Sequence, residues 1–332
     1  MRPFLLFLLL LAVPAWGQPD DAHAWWSRYR ANARAVALPG GRHLNLFCEG
    51  KGGPVVVLES GLGAGAWAWR QVQGAIARDA QVCSYDRAGY FGSSPARDGR
   101  DAGAEADDLA ALLKAARLPA PYVLVGHSYG GLIVRLYASR HPADVAGLVL
   151  LDPSAEYQKQ RAAERAPHAV PMLSDDEAQM TACAVSPRPA MLDGKCLLRP
   201  PPADLPPEDA AWFARSEDPA FAQAMLRETR AMPAITSDQV KAEKKPLGAV
   251  PMLLLEQGNG FAGLPGLPPA EAEALWTLWH RMHVEMLDIS RASELGIVPR
   301  SGHNIQSERP DAVVAGVAAV LRKARGAAAA PR

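Results

Sequence analysis

Gly126-His127-Ser128-Tyr129-Gly130 is the stretch of this 332-residue chain whose types and spacing most directly suggest chemistry. G-x-S-x-G gains meaning when a strand leads in and a helix leads out. Here the apolar run at 122–125 precedes it and a helical pattern over 132–141 follows. Such a turn holds the serine in a strained conformation at the end of a sheet, with its hydroxyl exposed, and the flanking glycines avoid clashes. A serine hydroxyl is a weak nucleophile at neutral pH, so Ser128 needs a base beside it and a third group to orient that base.

Eight histidines compete for the role of base. In the chain order nucleophile, acid, histidine, the base comes late, and His303 is the last histidine, on the loop Ser301-Gly302-His303 before a closing helix. Its neutral imidazole would take the serine proton and return it to the leaving group. His127 is next to Ser128, but the turn directs it away, so it reads as structural. His280 and His283 share a predicted helix with Trp276 and Trp279 and read as core or pocket wall. Two acids end strand-like runs on the same side of a parallel sheet, where functional groups gather. These are Asp152, closing residues 148–152, and Glu256, closing residues 250–256. The residues after Glu256, Gln257-Gly258-Asn259-Gly260-Phe261, contain no Asp.

The elements that must position these groups are legible as hydrophobic patterns. Residues 43–48 alternate like a half-buried strand, and 55–59 (VVVLE) form a β-branched run suited to burial on both faces. Further short strands are predicted at 81–85, 122–125, 145–151, 250–256 and 297–299, with helices over 101–117, 132–141 and 310–325. Alternating strands and helices predict an α/β fold with a mostly parallel central sheet covered on both faces. Residues 19–41 carry Trp25 and Trp26 and read as an irregular or helical lead-in. Residues 155–247 hold no convincing strand, and five prolines crowd the nine residues from 199 to 207. That span reads as an inserted helical cap, dividing the core into residues 18–154 and 248–332.

Several motifs in order resemble the α/β-hydrolase fold superfamily, and serine carboxylesterase-like members in particular. Besides the Ser128 turn, Glu59-Ser60-Gly61-Leu62-Gly63 stands where many members carry a His-Gly turn. The run from Asp86 through Arg87, Gly89 and Gly92 to Ser94 is similar to the family's Asp-Arg-x-Gly-x-G-x-S segment, and Ser301-Gly302-His303 matches its histidine loop. The resemblance spans residues 40–154 and 248–325. It implies a serine hydrolase cleaving carboxylic esters through an acyl-enzyme, with no cofactor and no metal. It favours Asp152 as the acid, the placement used by haloalkane-dehalogenase-like members, with Glu256 the alternative. It assigns the oxyanion donors to the N–H groups of Leu62 and Tyr129. Prolyl-aminopeptidase-like amide hydrolysis and cofactor-free perhydrolase activity stay open beside it. Dehalogenase and epoxide-hydrolase members carry Asp where this chain has Ser128. A non-catalytic binding protein would be expected to lack Ser128 or His303. Trp67 and Trp69 are the expected pocket walls, with Trp212, Phe213, Met225 and Met232 as further candidates from the cap.

Composition frames these readings. The chain carries 35 basic and 35 acidic residues, which excludes the basic excess of a nucleic-acid binder and fits a small, neutral ester substrate. An apolar fraction of 49% excludes a disordered chain. Arg2, an apolar run over 4–13 and Ala15-Trp16-Gly17 read as a signal peptide over residues 1–17, too short to span a bilayer. A secreted or periplasmic destination follows, where disulfides persist. Cys48 and Cys83 fall on strands expected to be neighbours, and Cys183 and Cys196 share the insertion, so those two pairings are predicted. No cysteine or histidine spacing matches a metal site.

Overall fold

The computed structural model describes residues 22–96, 99–185 and 201–329. Eight strands form one sheet in the order β1-β2-β4-β3-β5-β6-β7-β8. They are β1 (Arg34–Leu38), β2 (Arg42–Glu49), β3 (Val55–Glu59), β4 (Val82–Tyr85), β5 (Tyr122–His127), β6 (Val145–Leu151), β7 (Met252–Gln257) and β8 (Ser293–Val298). β1 and β2 are antiparallel to their neighbours, and every pairing from β4 across to β8 is parallel. The expected α/β sheet is therefore present.

The patterning explains which strands lie inside. All residues of β3, β4 and β5 are buried, because β-branched and apolar side chains fill both faces. Each such Val or Leu contributes about 1.5–3 kcal/mol on removal from water. Helices α3 (Ala102–Ala115) and α4 (Tyr129–Arg140) cover one face through Leu109, Leu112, Leu132 and Leu136. Asp101 caps α3, its side chain accepting the Ala104 N–H at 3.0 Å. The short α2 (Gln73–Ile76) and a long C-terminal helix, Pro310–Ala329, cover the other face, the latter through Val313, Val317, Val320 and Leu321.

Two elements differ from expectation at the sheet margins. Residues 34–38 form an edge strand rather than part of an irregular lead-in, since only Val36 and Leu38 of its five residues are buried. The last strand begins at Ser293, four residues earlier than predicted. It too is an edge strand, and its mixed polar and small residues conceal the period.

Between β6 and β7 the described chain is helical: α5 (Gln158–Arg165), α6 (Ala169–Val185), α7 (Pro219–Ala231) and α8 (Ser237–Glu243). α6 packs on α7, and Phe213 and Phe221 join Tyr90 and Phe91 in an aromatic cluster above the sheet. The N-terminal α1 (Ala22–Asn32) seats Trp25 and Trp26, both fully buried, against Phe47 of β2 and Trp212. Helix α9 (Pro269–Met286) then leads into β8. Among the described residues, no helix is long and apolar enough to cross a membrane.

Cys48 and Cys83 face each other across the antiparallel β2–β4 pair and are joined by a disulfide. Cys196 and residues 1–17 lie outside the described residues. The bridge closes a loop of 35 residues. Its removal in a Cys48→Ala/Cys83→Ala variant should cost about 3–4 kcal/mol of stability, read from denaturant midpoints. An unchanged midpoint would show that the bridge does not constrain the unfolded chain.

Candidate active site

Ser128 stands between the end of β5 and the start of α4, with φ 52° and ψ −122°. A non-glycine residue there stores about 1–3 kcal/mol of strain and must be held by its surroundings. Ser128 N–H donates to Leu151 O, and Ser128 O accepts from the N–H groups of Gly131 and Ser154, both at 2.9 Å. The turn also presses on the end of β3. A Cβ at Gly130 would lie 2.5 Å from Glu59 O, and one at Gly126 would lie 2.6 Å from Val134 Cγ2. Only glycine fits at either place.

His303 lies on the loop after β8 and brings its Nε2 to 2.9 Å from Ser128 Oγ. Its Nδ1 lies 2.6 Å from Asp152 Oδ2. A carboxylate only accepts, so Nδ1–H donates to Asp152 and Nε2 is left to accept the serine proton. His303 remains partly exposed while Asp152 is fully buried. The imidazole can thus reach a bound molecule, and its orienting group cannot exchange its partners for water.

Asp152, with φ 39°, follows directly on β6. Its second oxygen accepts from Trp279 Nε1 at 2.9 Å and from the Gln257 N–H at 3.2 Å. Burial works to raise its pKa, but the hydrogen bond and charge of His303, helped by His283 and Trp279, outweigh burial and hold it below the ordinary carboxylate value. Glu256 is also buried but meets different histidines. It pairs with His280 Nδ1 at 3.0 Å and His283 Nδ1 at 2.8 Å, while His283 Nε2–H donates to Pro153 O. The second acid therefore braces the chain just beyond Asp152. The spacing of His280 and His283 on one helical face was the available sequence signal for this pairing. His127 turns away from the serine hydroxyl, and its Nε2–H donates to His303 O at 2.9 Å.

The loop after β3 lies against the serine turn. A Cβ on Gly61 would meet His127 Nδ1 at 3.0 Å and Ser128 Cβ at 3.2 Å. The Asp86-Arg87 segment grips this loop along its length. Arg87 Nη1 donates to Ser60 O at 2.6 Å and Nη2 to Gly61 O at 3.0 Å, while Asp86 Oδ1 accepts the Ala66 N–H at 2.9 Å. Leu62 sits between these anchors, half-buried. Tyr129 opens α4, and the first N–H of any helix has no acceptor four residues back. Trp69, expected at a pocket wall, is wholly buried and donates its indole N–H to Ser60 Oγ at 2.8 Å. Trp67 is half-buried among Phe91 and Phe213. Among the described residues, no group of three or more potential ligands could hold a metal ion.

The model of the Alpha/beta hydrolase family matches residues 55–316, and the chain belongs to that family. The uncharacterised protein YqjL of Bacillus subtilis is 38% identical over 106 residues, covering 32% of this chain and 42% of that protein. A pimeloyl-[acyl-carrier protein] methyl ester esterase of Chromobacterium violaceum is 39% identical over 127 residues, covering 38% of this chain and 46% of that one. The chain thus aligns with less than half the length of these relatives. Among solved structures, the epoxide hydrolase CorEH shares the fold, with a TM-score of 0.64 over 88% of this chain and 98% of that chain at 19% identity.

The lowered pKa of Asp152 has a signed consequence. A carboxyl whose folded-state pKa is depressed stabilises the fold above its unfolded pKa, and the contribution is lost as pH falls through the folded value. Wild-type stability should therefore fall more steeply than that of Asp152→Asn between about pH 5 and pH 2 in urea titrations. Parallel acid limbs would refute the assignment.

Proposed function

We propose that this protein is a serine hydrolase that cleaves carboxylic esters through an acyl-enzyme. The observation that carries the reading is the line of hydrogen bonds from Ser128 Oγ through His303 to buried Asp152. In this reading His303 Nε2 takes the hydroxyl proton as Oγ attacks the ester carbonyl. The developing imidazolium is stabilised by Asp152, and the proton then passes to the departing alcohol. Water, activated by the same imidazole, releases the acid. The N–H groups of Leu62 and Tyr129 receive the oxyanion, a contribution of about 3–4 kcal/mol for one such donor.

The substrate is a neutral, moderately apolar ester, and residues 155–247 act as the cap that shapes its pocket and excludes water. The aromatic cluster beneath the cap helices supports this, as does the methyl ester esterase named among the relatives. The Cys48–Cys83 bridge supports export to an oxidising compartment.

A fluorophosphonate probe should label the wild type once and leave Ser128→Ala unlabelled, as read by intact mass. On a panel of p-nitrophenyl acetate to octanoate, Ser128→Ala should lose turnover and Asp152→Asn should lose about 10³–10⁴ in kcat. Glu256→Gln should lower stability while keeping kcat within the wild-type order of magnitude. Turnover on prolyl amides alone would replace the ester reading. Loss of kcat in Glu256→Gln but not in Asp152→Asn would reassign the acid.

A further inference from the structure

A buried ionic cluster joins helix α7 to the loop that lies against Ser128. Arg87 uses all five of its N–H donors there. Nη1 donates to Glu59 Oε1 at 2.8 Å and Ser60 O at 2.6 Å. Nη2 donates to Gly61 O and to Glu228 Oε2, each at 3.0 Å, and Nε donates to Glu228 Oε1 at 3.3 Å. Glu228 belongs to α7 and is wholly buried. Its remaining sites accept from Arg100 Nη2 at 2.7 Å and from the Tyr90 hydroxyl at 2.6 Å. The Tyr90 oxygen in turn accepts the Gly63 N–H at 3.2 Å.

Both sides of Leu62 are therefore tied to one carboxylate. Ser60 and Gly61 reach Glu228 through a planar guanidinium, and Gly63 reaches it through a phenol. A guanidinium is rigid, so a shift of Glu228 tilts Arg87 and carries two loop carbonyls with it. Burial would raise the pKa of Glu228, but the charges of Arg87 and Arg100, with a hydrogen bond from Glu105, outweigh it and hold it below the ordinary carboxylate value. The two guanidinium groups thus favour the charged form of Glu228. Without that charge Arg87 would keep its bonds to the loop, but nothing on α7 would fix its angle.

We propose that Glu228 is a positioning residue for the reaction: through Arg87 and Tyr90 it sets the 60–63 loop, so that seating of α7 completes the oxyanion donors. The proposal rests on the serine-hydrolase reading and adds a dependence on the cap that the Ser128–His303–Asp152 line does not require. A group that acts only through the fold would lower the fraction of active protein. A group that places an oxyanion donor instead lowers turnover per active protein, and weakens tetrahedral adducts by a matching factor.

The test compares wild type, Glu228→Gln, Tyr90→Phe and Leu226→Ala, each normalised to active sites by fluorophosphonate titration. kcat and KM on p-nitrophenyl butyrate are measured beside Ki for a simple alkylboronic acid, which forms a tetrahedral adduct on serine. Glu228→Gln should lose about ten- to a hundredfold in kcat with a parallel rise in the boronic acid Ki and an almost unchanged KM. Tyr90→Phe keeps its packing on Phe221 and should show a smaller loss of the same pattern. Leu226→Ala removes apolar packing from the same helix but leaves Glu228 and its bonds to Arg87 and Tyr90 in place, and should lower Tm while keeping kcat and Ki per titrated site. Wild-type kcat and Ki in both Glu228→Gln and Tyr90→Phe would overturn the proposal. If Glu228→Gln does not fold, Tyr90→Phe decides alone. A wild type that neither labels nor binds the boronic acid overturns the hydrolase reading itself, and this inference with it.

Discussion

Contact between two backbone segments governs this structure. The turn carrying Ser128 and the loop that follows β3 meet at two glycines, Gly130 and Gly61. At Gly130 any Cβ would run into the carbonyl oxygens of Glu59 and Ser60, and at Gly61 into His127 and Ser128. Parallel β3 and β5 lie side by side, with Glu59 paired to Gly126, so both segments leave the sheet at one point. The hydrogen bonds that Ser128 makes to Leu151, Gly131 and Ser154 then fix a conformation that serine would not adopt alone. The placing of His303 and Asp152 around the serine presupposes that closeness.

Charge is concentrated around the same place, but inside the protein. Glu59, Arg87, Arg100, Glu105 and Glu228 are all buried, within a sheet domain whose other interior contacts are largely apolar. Isolated ions there would be prohibitively costly, and their stability comes from mutual pairing, with the donors of Arg87 saturated. The cluster replaces side-chain packing at the junction of sheet, loop and helix with directional bonds. Apolar contacts tolerate sliding, whereas a saturated guanidinium does not. The junction is accordingly more specific in geometry than the aromatic layer beside it, where Phe91, Phe213 and Phe221 meet at varied angles.

The sheet interior was legible in the sequence because burial on both faces leaves continuous apolar runs, as at 55–59 and 145–151. The margins were not. Arg34–Leu38 and Ser293–Val298 are half-solvated edges whose composition carries little period. For the site, the glycines around Ser128 and the Gly before His303 announced the turns, and Asp152 and Glu256 were both visible at strand ends. Which acid meets His303 was beyond local pattern, since it depends on Trp279 and on the pair His280 and His283 on α9. The surroundings of Trp69 were equally hidden: a tryptophan after a flexible turn carries no sign of the internal acceptor, Ser60, that its indole N–H meets. Glu228 had no signal at all, being one acid among several on a charged helix until its partners are seen.

Because Asp152 closes β6, the connection after β7 is left with little to do near Ser128. The N–H groups of Gly258 and Asn259 hold Ser301 O, beyond which residues 262–266 are exposed. Under the proposed assignment of Asp152 as the acid, that role does not fix this strand end in length or composition. Here it is unencumbered, and the segment before α9 can lengthen, shorten or change its charge while the histidine loop keeps its backbone anchors. That edge of the molecule is where new selectivity could evolve at least risk to the chemistry.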